Sequence, residues 1–328
     1  MPQTRARTAA AAVTSNSTSS KQTNSTRVST PATEKAPATT PISVSTRFNP
    51  EERDMLDADL VLVSQDQVYF YAHRSILLRE SSNGFALLLP IPLDDLTTEI
   101  DVFQPMSTAD FLLAPTPVTM KYSSDVLNLA LHIIYGLPAQ SYRPTPSTLR
   151  ATTTTLFTLG YNLERVFARH SEPYMLFLQS AVSEPLHMYA LAAQYSLQSL
   201  AVAVSTFTLR ASLSDIADEL AEQMGPVYLR RLFFLHLGRA DALKRLLYPP
   251  PSSHAPSPNF KCTKKSRQEI PRIWALASAS AVIENHPYDL AKTFAPLSTQ
   301  VSCVGCRQML YERVGTLMNE WNSIKDTI

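Results

Sequence analysis

Apolar residues are unevenly spread along this chain, and their spacing changes from one stretch to the next. Residues 1–47 contain no Leu, Phe, Tyr or Trp and consist mainly of Ser, Thr, Ala and Pro. Such a segment cannot bury enough apolar surface to offset its ordering entropy, and it is predicted to be disordered. Next come Leu60-Val-Leu-Val63 and Val68–Ala72, which flank the polar Gln65-Asp66-Gln67. Their aromatic and β-branched residues predict two strands joined by a turn, with a helix following at once. Both faces of each strand are apolar, so the hairpin should be covered on both sides. Five prolines, Pro90, Pro92, Pro105, Pro115 and Pro117, then punctuate an insert before a third strand expected within Val118–Tyr122.

From there the spacing becomes helical. Ser123-Ser124-Asp125 has the composition of a helix N-cap. Val126, Leu129, Ala130, Ile133 and Ile134 follow on one face, with Leu127 and Leu131 adding a second, so this helix should be largely buried. After Pro144 and Pro146, Ser147 is placed to cap another helix bearing Leu149, Leu156, Phe157 and Leu159, although Thr152–Thr155 is poor helix material. Residues 164–248 read as helical throughout. Leu186, Tyr189, Ala190, Ala193, Leu197 and Leu200 mark one amphipathic face. Ser212 or Ser214 caps a further helix, which Gly225-Pro226 should break. A Pro/Ser linker (residues 249–260) leads to a C-terminal segment, 261–328, with Trp274 on an Ala-rich helix and a final helix carrying Leu310, Val314, Leu317, Met318 and Trp321.

Length and charge narrow the class. At about 150 residues per domain, 328 residues suggest two folded units plus tails. Charged residues make up only 17% and the net charge is +1, so no global field points to nucleic acid or an acidic membrane. No apolar run is long enough for a membrane span. Three cysteines argue against a disulfide framework and for a reducing, intracellular setting, cytoplasm or nucleus. The tail carries Arg5, Arg7, Lys21, Arg27, Lys35 and Arg47 against the single acid Glu34, a balance shared by organelle transit peptides. Met1–Val13 offers almost no apolar helical face, so a plain disordered tail is the preferred reading, and the sequons at Asn16 and Asn24 read as chance.

From Asp59 to Leu77 the order Asp-x-x-Leu-x-x-x-Asp-x-x-x-Phe-x-Ala-His-Arg-x-Ile-Leu resembles the opening of the BTB/POZ domain. Ser82-x-x-Phe85 resembles the Ser-x-x-Phe of that family's second helix. Val126–Gly136 resembles its helix closing on a Tyr and a nearby Gly, and Gly160-Tyr161 its final helix with the last two residues reversed. Tyr189-Ala-Leu-Ala192, Tyr228-Leu-Arg-Arg-Leu232, Leu235-His-Leu-Gly-Arg239 and the ending from Trp321 resemble fungal, basidiomycete-type BTB proteins with a helical C-terminal extension. The resemblance implies an interaction module rather than an enzyme. It also implies that Asp59, His73 and Arg74 lie in a charged pocket near a dimer interface, and that partners include a second copy or another protein, a cullin among them.

Candidate chemistry is sparse. The seven glycines are scattered, with no phosphate-binding loop, and no H-E-x-x-H or G-x-S-x-G motif occurs. His73 reads as a residue hydrogen-bonded at the strand-to-helix junction, and His132 and His236 as satisfied histidines of apolar helical faces. Asp57/Asp59 and Asp94/Asp95 read as solvated turns, and Lys261, Lys264, Lys265 and Arg267 as a solvated linker face. Cys303-x-x-Cys306 has the spacing of a zinc knuckle or redox pair, with Cys262 a third thiol. Cys262 lies about forty residues earlier, outside the common zinc spacings, and neither His254 nor His286 is placed by a motif. The preferred reading is therefore three small core cysteines, with Val301, Cys303 and Cys306 packing against Trp274, without metal or other cofactor.

Together these readings give an α+β fold: a BTB/POZ-like domain over 48–163 with a small sheet flanked by helices, then an all-helical remainder, with a helical extension over 164–248. The expected function is protein–protein association without catalysis. The alternatives are a substrate adaptor of a cullin-type ubiquitin ligase and a transcription-associated zinc or nucleic-acid-binding protein. No kelch- or MATH-like repeat supports the adaptor, and no basic helix supports nucleic-acid binding.

Overall fold

The computed structural model describes residues 43–89, 117–255, 262–283 and 290–328. The tail to residue 42, the insert over 90–116 with Asp94 and Asp95, Lys261 and His286 lie outside these residues. Strands β1 (Ser43–Val44), β2 (Leu60–Val63), β3 (Val68–Ala72) and β4 (Pro117–Thr119) form one sheet in the order β1-β3-β2-β4. Strands β2 and β3 pair antiparallel, with Leu62 opposite Phe70, while β4 runs parallel to β2 with Val118 opposite Leu62. All four residues of β2 are buried, as its two apolar faces require. Strand β3 departs from the expectation: Phe70 and Ala72 are buried, but Val68, Tyr69 and Tyr71 are half-exposed. Its outer neighbour β1 is a two-residue strand of exposed side chains and gives little cover.

The turn between β2 and β3 also starts a helix. Helix α1 (Arg74–Arg79) follows β3 directly, and α2 (Ser124–Tyr135) follows β4. Ser123 is the N-cap of α2, but its side chain makes no cap bond. Instead Asp66, from the hairpin turn, accepts the Ser124 backbone N–H at 2.8 Å and the Ser124 hydroxyl at 2.5 Å. Helix α3 (Pro146–Thr158) is capped by Thr145 rather than Ser147, with Pro146 in the first turn where a missing N–H costs nothing. Its threonines are accommodated because the hydroxyls of Thr153, Thr154, Thr155 and Thr158 each bond the carbonyl four residues back.

No right-handed helix forms around Phe85. Gly84, Phe85, Ala86 and Leu87 all have φ near +60° and make a left-handed turn, closed by the Leu87 N–H on the Asn83 carbonyl at 2.9 Å. That conformation costs about 1–2 kcal/mol for each non-glycine residue. It delivers Phe85 and Leu89 into the core, both almost fully buried.

Beyond Tyr161 the described residues are helical: α4 (Leu163–Val166), α5 (Glu172–Ser183), α6 (Pro185–Gln194), α7 (Gln198–Thr208), α8 (Asp218–Leu247), α9 (Lys264–Ile283), α10 (Leu290–Phe294) and α11 (Val304–Ser323). Gly225, at φ 69° and ψ 166°, kinks α8 ahead of Pro226, and the helix then resumes. One hydrophobic core runs from Phe48 through the sheet and α2–α7 to Leu232. A second gathers Leu243 and Leu247 of α8 with Trp274, Phe294, Leu310 and Trp321. Helix α8 therefore serves both cores. Arg239, between them on α8, donates to the Ile324 and Lys325 carbonyls and lies 4.1 Å from the Trp321 ring centroid.

Candidate functional site

Two clusters of chemistry-bearing side chains stand out, one in each core. The first is the junction of β3 and α1. Asp59 Oδ1 accepts the Arg74 backbone N–H at 2.8 Å, so Asp59 caps α1 from the start of β2. The His73 backbone N–H donates to the Tyr135 hydroxyl at 2.7 Å, and His73 Nδ1 lies 3.1 Å from the same oxygen. Tyr135 closes α2 and packs on Phe48, with ring centroids 5.5 Å apart. Burial and nearby carboxylates hold its phenol protonated, with the pKa raised. Asp59 is exposed, whereas His73 and Arg74 are half-buried, so the three occupy one corner of the sheet with a carboxylate and a guanidinium at the surface. His73 is thus a hydrogen-bonded junction residue, as its place in the sequence suggests.

The second cluster is one the sequence spacing concealed. Helices α9 and α11 begin side by side, because α10 and the 3₁₀ turn Ala295–Gln300 return the chain across the second core. Cys262, just before α9, therefore meets Cys306 in the first turn of α11, with sulfurs 3.5 Å apart despite 44 intervening steps of chain. His254, from the Pro-rich segment after α8, places Nε2 3.4 Å from Cys303 Sγ. The donor atoms of His254, Cys262, Cys303 and Cys306 all lie within 4.8 Å of one another. Cys303 and Cys306 are buried, and Cys262 and His254 half-buried. The spacing argument that made Cys262 a weaker candidate ligand does not hold in this geometry: the limit on spacing applies to a local loop, not to helix ends brought together by packing.

Local backbone holds the cluster. Cys303 is the N-cap of α11, and its side chain makes no cap hydrogen bond. The nearby Cys306 backbone N–H, helped by His254, brings the pKa of the Cys303 thiol down to about 6, while burial pushes Cys306 up to about 12. His254 Nδ1 lies 2.8 Å from the Ala255 carbonyl, which it can reach only as a donor, so Nε2 is left to face the thiols. A bond to that carbonyl raises the imidazole pKa. Gly305 makes room for the ring: a β-carbon there would stand 3.0 Å from His254 Cδ2. Three soft sulfurs and one imidazole nitrogen form a donor set suited to tetrahedral metal coordination.

Comparison with family models, with curated proteins and with solved structures finds no match for this chain. Among the described residues, no helix is long and apolar enough to cross a membrane.

Proposed function

We propose that this chain is a non-catalytic interaction protein, with a BTB-like N-terminal module that associates with a second copy or a partner, and a helical remainder that supports this surface. The observation that carries the reading is how the motif residues pair. Asp59 meets Arg74, His73 meets Tyr135, Ser82 donates its N–H and hydroxyl to the Gly160 carbonyl at 2.9 Å each, and Phe85 lies edge-on to Tyr161. Residues read from separate motifs thus interlock around one core. The antiparallel hairpin, the helix after it and the third strand parallel to β2 support the same reading. The exposed corner at Asp59, His73 and Arg74 is the association surface in this proposal.

Sedimentation of the full chain over a range of concentrations tests it. The expected result is a dimer that Arg74→Glu shifts to monomer while the circular dichroism spectrum is unchanged, since the fold uses the Arg74 backbone N–H. A parent chain that stays monomeric and captures no partner from its native cell overturns the reading. Recovery of a cullin in that pull-down would favour the ubiquitin-ligase adaptor over self-association.

A further inference from the structure

We propose that His254, Cys262, Cys303 and Cys306 bind one structural Zn²⁺ that fastens the second core. Two of the six separations between these donor atoms already match those of a coordination shell. Zinc bonds of about 2.3 Å to sulfur and 2.0–2.1 Å to nitrogen, at tetrahedral angles, separate neighbouring ligand atoms by roughly 3.5–3.8 Å. The observed Cys262–Cys306 and Cys303–His254 separations are 3.5 and 3.4 Å. All six pairs fall within 4.8 Å, so one point lies within reach of all four donors.

The surroundings are those a zinc site needs. The Nδ1–H bond to Ala255 fixes the tautomer that leaves Nε2 available, the usual second partner of a metal-ligating histidine. Gly305 between the two cysteines admits the imidazole to the helix end, where a larger residue would crowd it. Three thiolates and an imidazole complete the four positions, leaving no open site for substrate, so the ion is structural rather than catalytic.

The four ligands also come from three separate places: the segment after α8, a residue two positions ahead of α9, and the N-cap and first turn of α11. An ion there joins three segments that also meet through packing around Trp274 and Leu310 and through the hydrogen bonds that Trp274 and Arg313 donate to carbonyls at the end of α8. Because such a site does not exist in the unfolded chain, its binding free energy is folding free energy.

Metal analysis of the full chain, purified under reducing conditions without chelator, should find about one zinc per chain, and Co²⁺ should replace it with the absorption of a tetrahedral thiolate site. Cys306→Ser and His254→Ala should each weaken retention against a competing chelator by at least about 100-fold, while His254→Cys, which restores a fourth soft ligand, should recover most of it. That rescue separates a ligand from a packing residue, because a merely buried ring would not be replaced by a thiol. Chelation of the parent should also shift the tryptophan fluorescence reporting on Trp274 and Trp321. The proposal is overturned if the reduced chain takes up neither zinc nor cobalt. It is equally overturned if zinc content is the same in the parent and in His254→Ala and Cys306→Ser, the mark of adventitious metal. Neither outcome bears on whether the N-terminal half self-associates.

Discussion

His132 shows how much a single buried side chain can dictate. It lies on the inner face of α2 with 2% of its surface exposed, its ring 5.1 Å from Phe48 and 4.6 Å from Tyr142. Its Nδ1 faces the Asn128 carbonyl at 2.8 Å, which one proton satisfies, and a second proton would be carried in an apolar setting. Burial therefore lowers its pKa below 6.5, assisted by Arg47 and opposed by the Asn128 bond and Glu172. A depressed histidine pKa means that the unfolded chain binds the extra proton first. Stability should be constant above the unfolded pKa of 6.5 and fall as the pH drops below it, with half-buried His236, also lowered by burial, adding to the slope. His132→Leu should flatten this slope below pH 6.5 while costing about 1 kcal/mol at neutral pH for the lost hydrogen bond. Denaturant unfolding at stepped pH would show it, and an identical slope in parent and variant would count against the burial argument. That His132 belongs to the core was legible from its apolar helical neighbours. Its stacking partners were not, because Phe48 and Tyr142 sit outside any periodic segment.

Between elements, the decisive joint is the clasp where the end of α3 meets the loop after α1. Ser81 and Ser82 donate to the Leu159 and Gly160 carbonyls, Asn83 Nδ2 donates to Thr158, and the Tyr161 hydroxyl donates to Leu77 at 2.8 Å. Gly160 is required there twice over. Its φ is +85°, and a β-carbon would stand 2.4 Å from Asn83 Oδ1 and 2.9 Å from the Asn83 backbone nitrogen. Gly160→Ala should then destabilise the chain by about 2–4 kcal/mol, combining left-handed strain with a clash against backbone that cannot step aside. Urea unfolding would measure it, and a loss below about 0.5 kcal/mol would mean that the clasp yields easily. The sequence revealed the motif residues Ser82, Phe85 and Gly160-Tyr161 but not that they bind each other, since contacts between distant segments leave no periodic trace. One cap was half legible for a similar reason. Ser123, within the expected Ser123-Ser124-Asp125, is the N-cap residue of α2, yet Asp66 from a distant turn supplies the acceptor.

For the whole molecule, the sequence announced helices but not that they would gather into two cores joined by one of them. Hydrophobic spacing marks which face of a helix is buried and is silent on what buries it. The same limit hid the cysteine–histidine cluster, whose members lie far apart along the chain and meet only through the return of α10 and α11. The long helix that links the cores acts as a ruler with a fixed phase. Leu232 engages one core, Arg239 reaches the C-terminal carbonyls, and Leu243 and Leu247 engage the other. Farther on, the Ile328 N–H bonds Ser205 Oγ and Thr206 donates to the Asp326 carbonyl, tying the chain end back to α7. One alanine inserted after Gly238 would turn everything beyond it by about 100° and advance it about 1.5 Å. Seven would nearly restore the angle while lengthening the ruler by about 10 Å. The single insertion should weaken both cores, seen as a lower and broader thermal transition. The seven-residue insertion should keep the environment of Trp274 but detach the end at Ile328, seen as fast amide exchange there. Angle and length are thus separate settings in one helix, and this chain has a use for both.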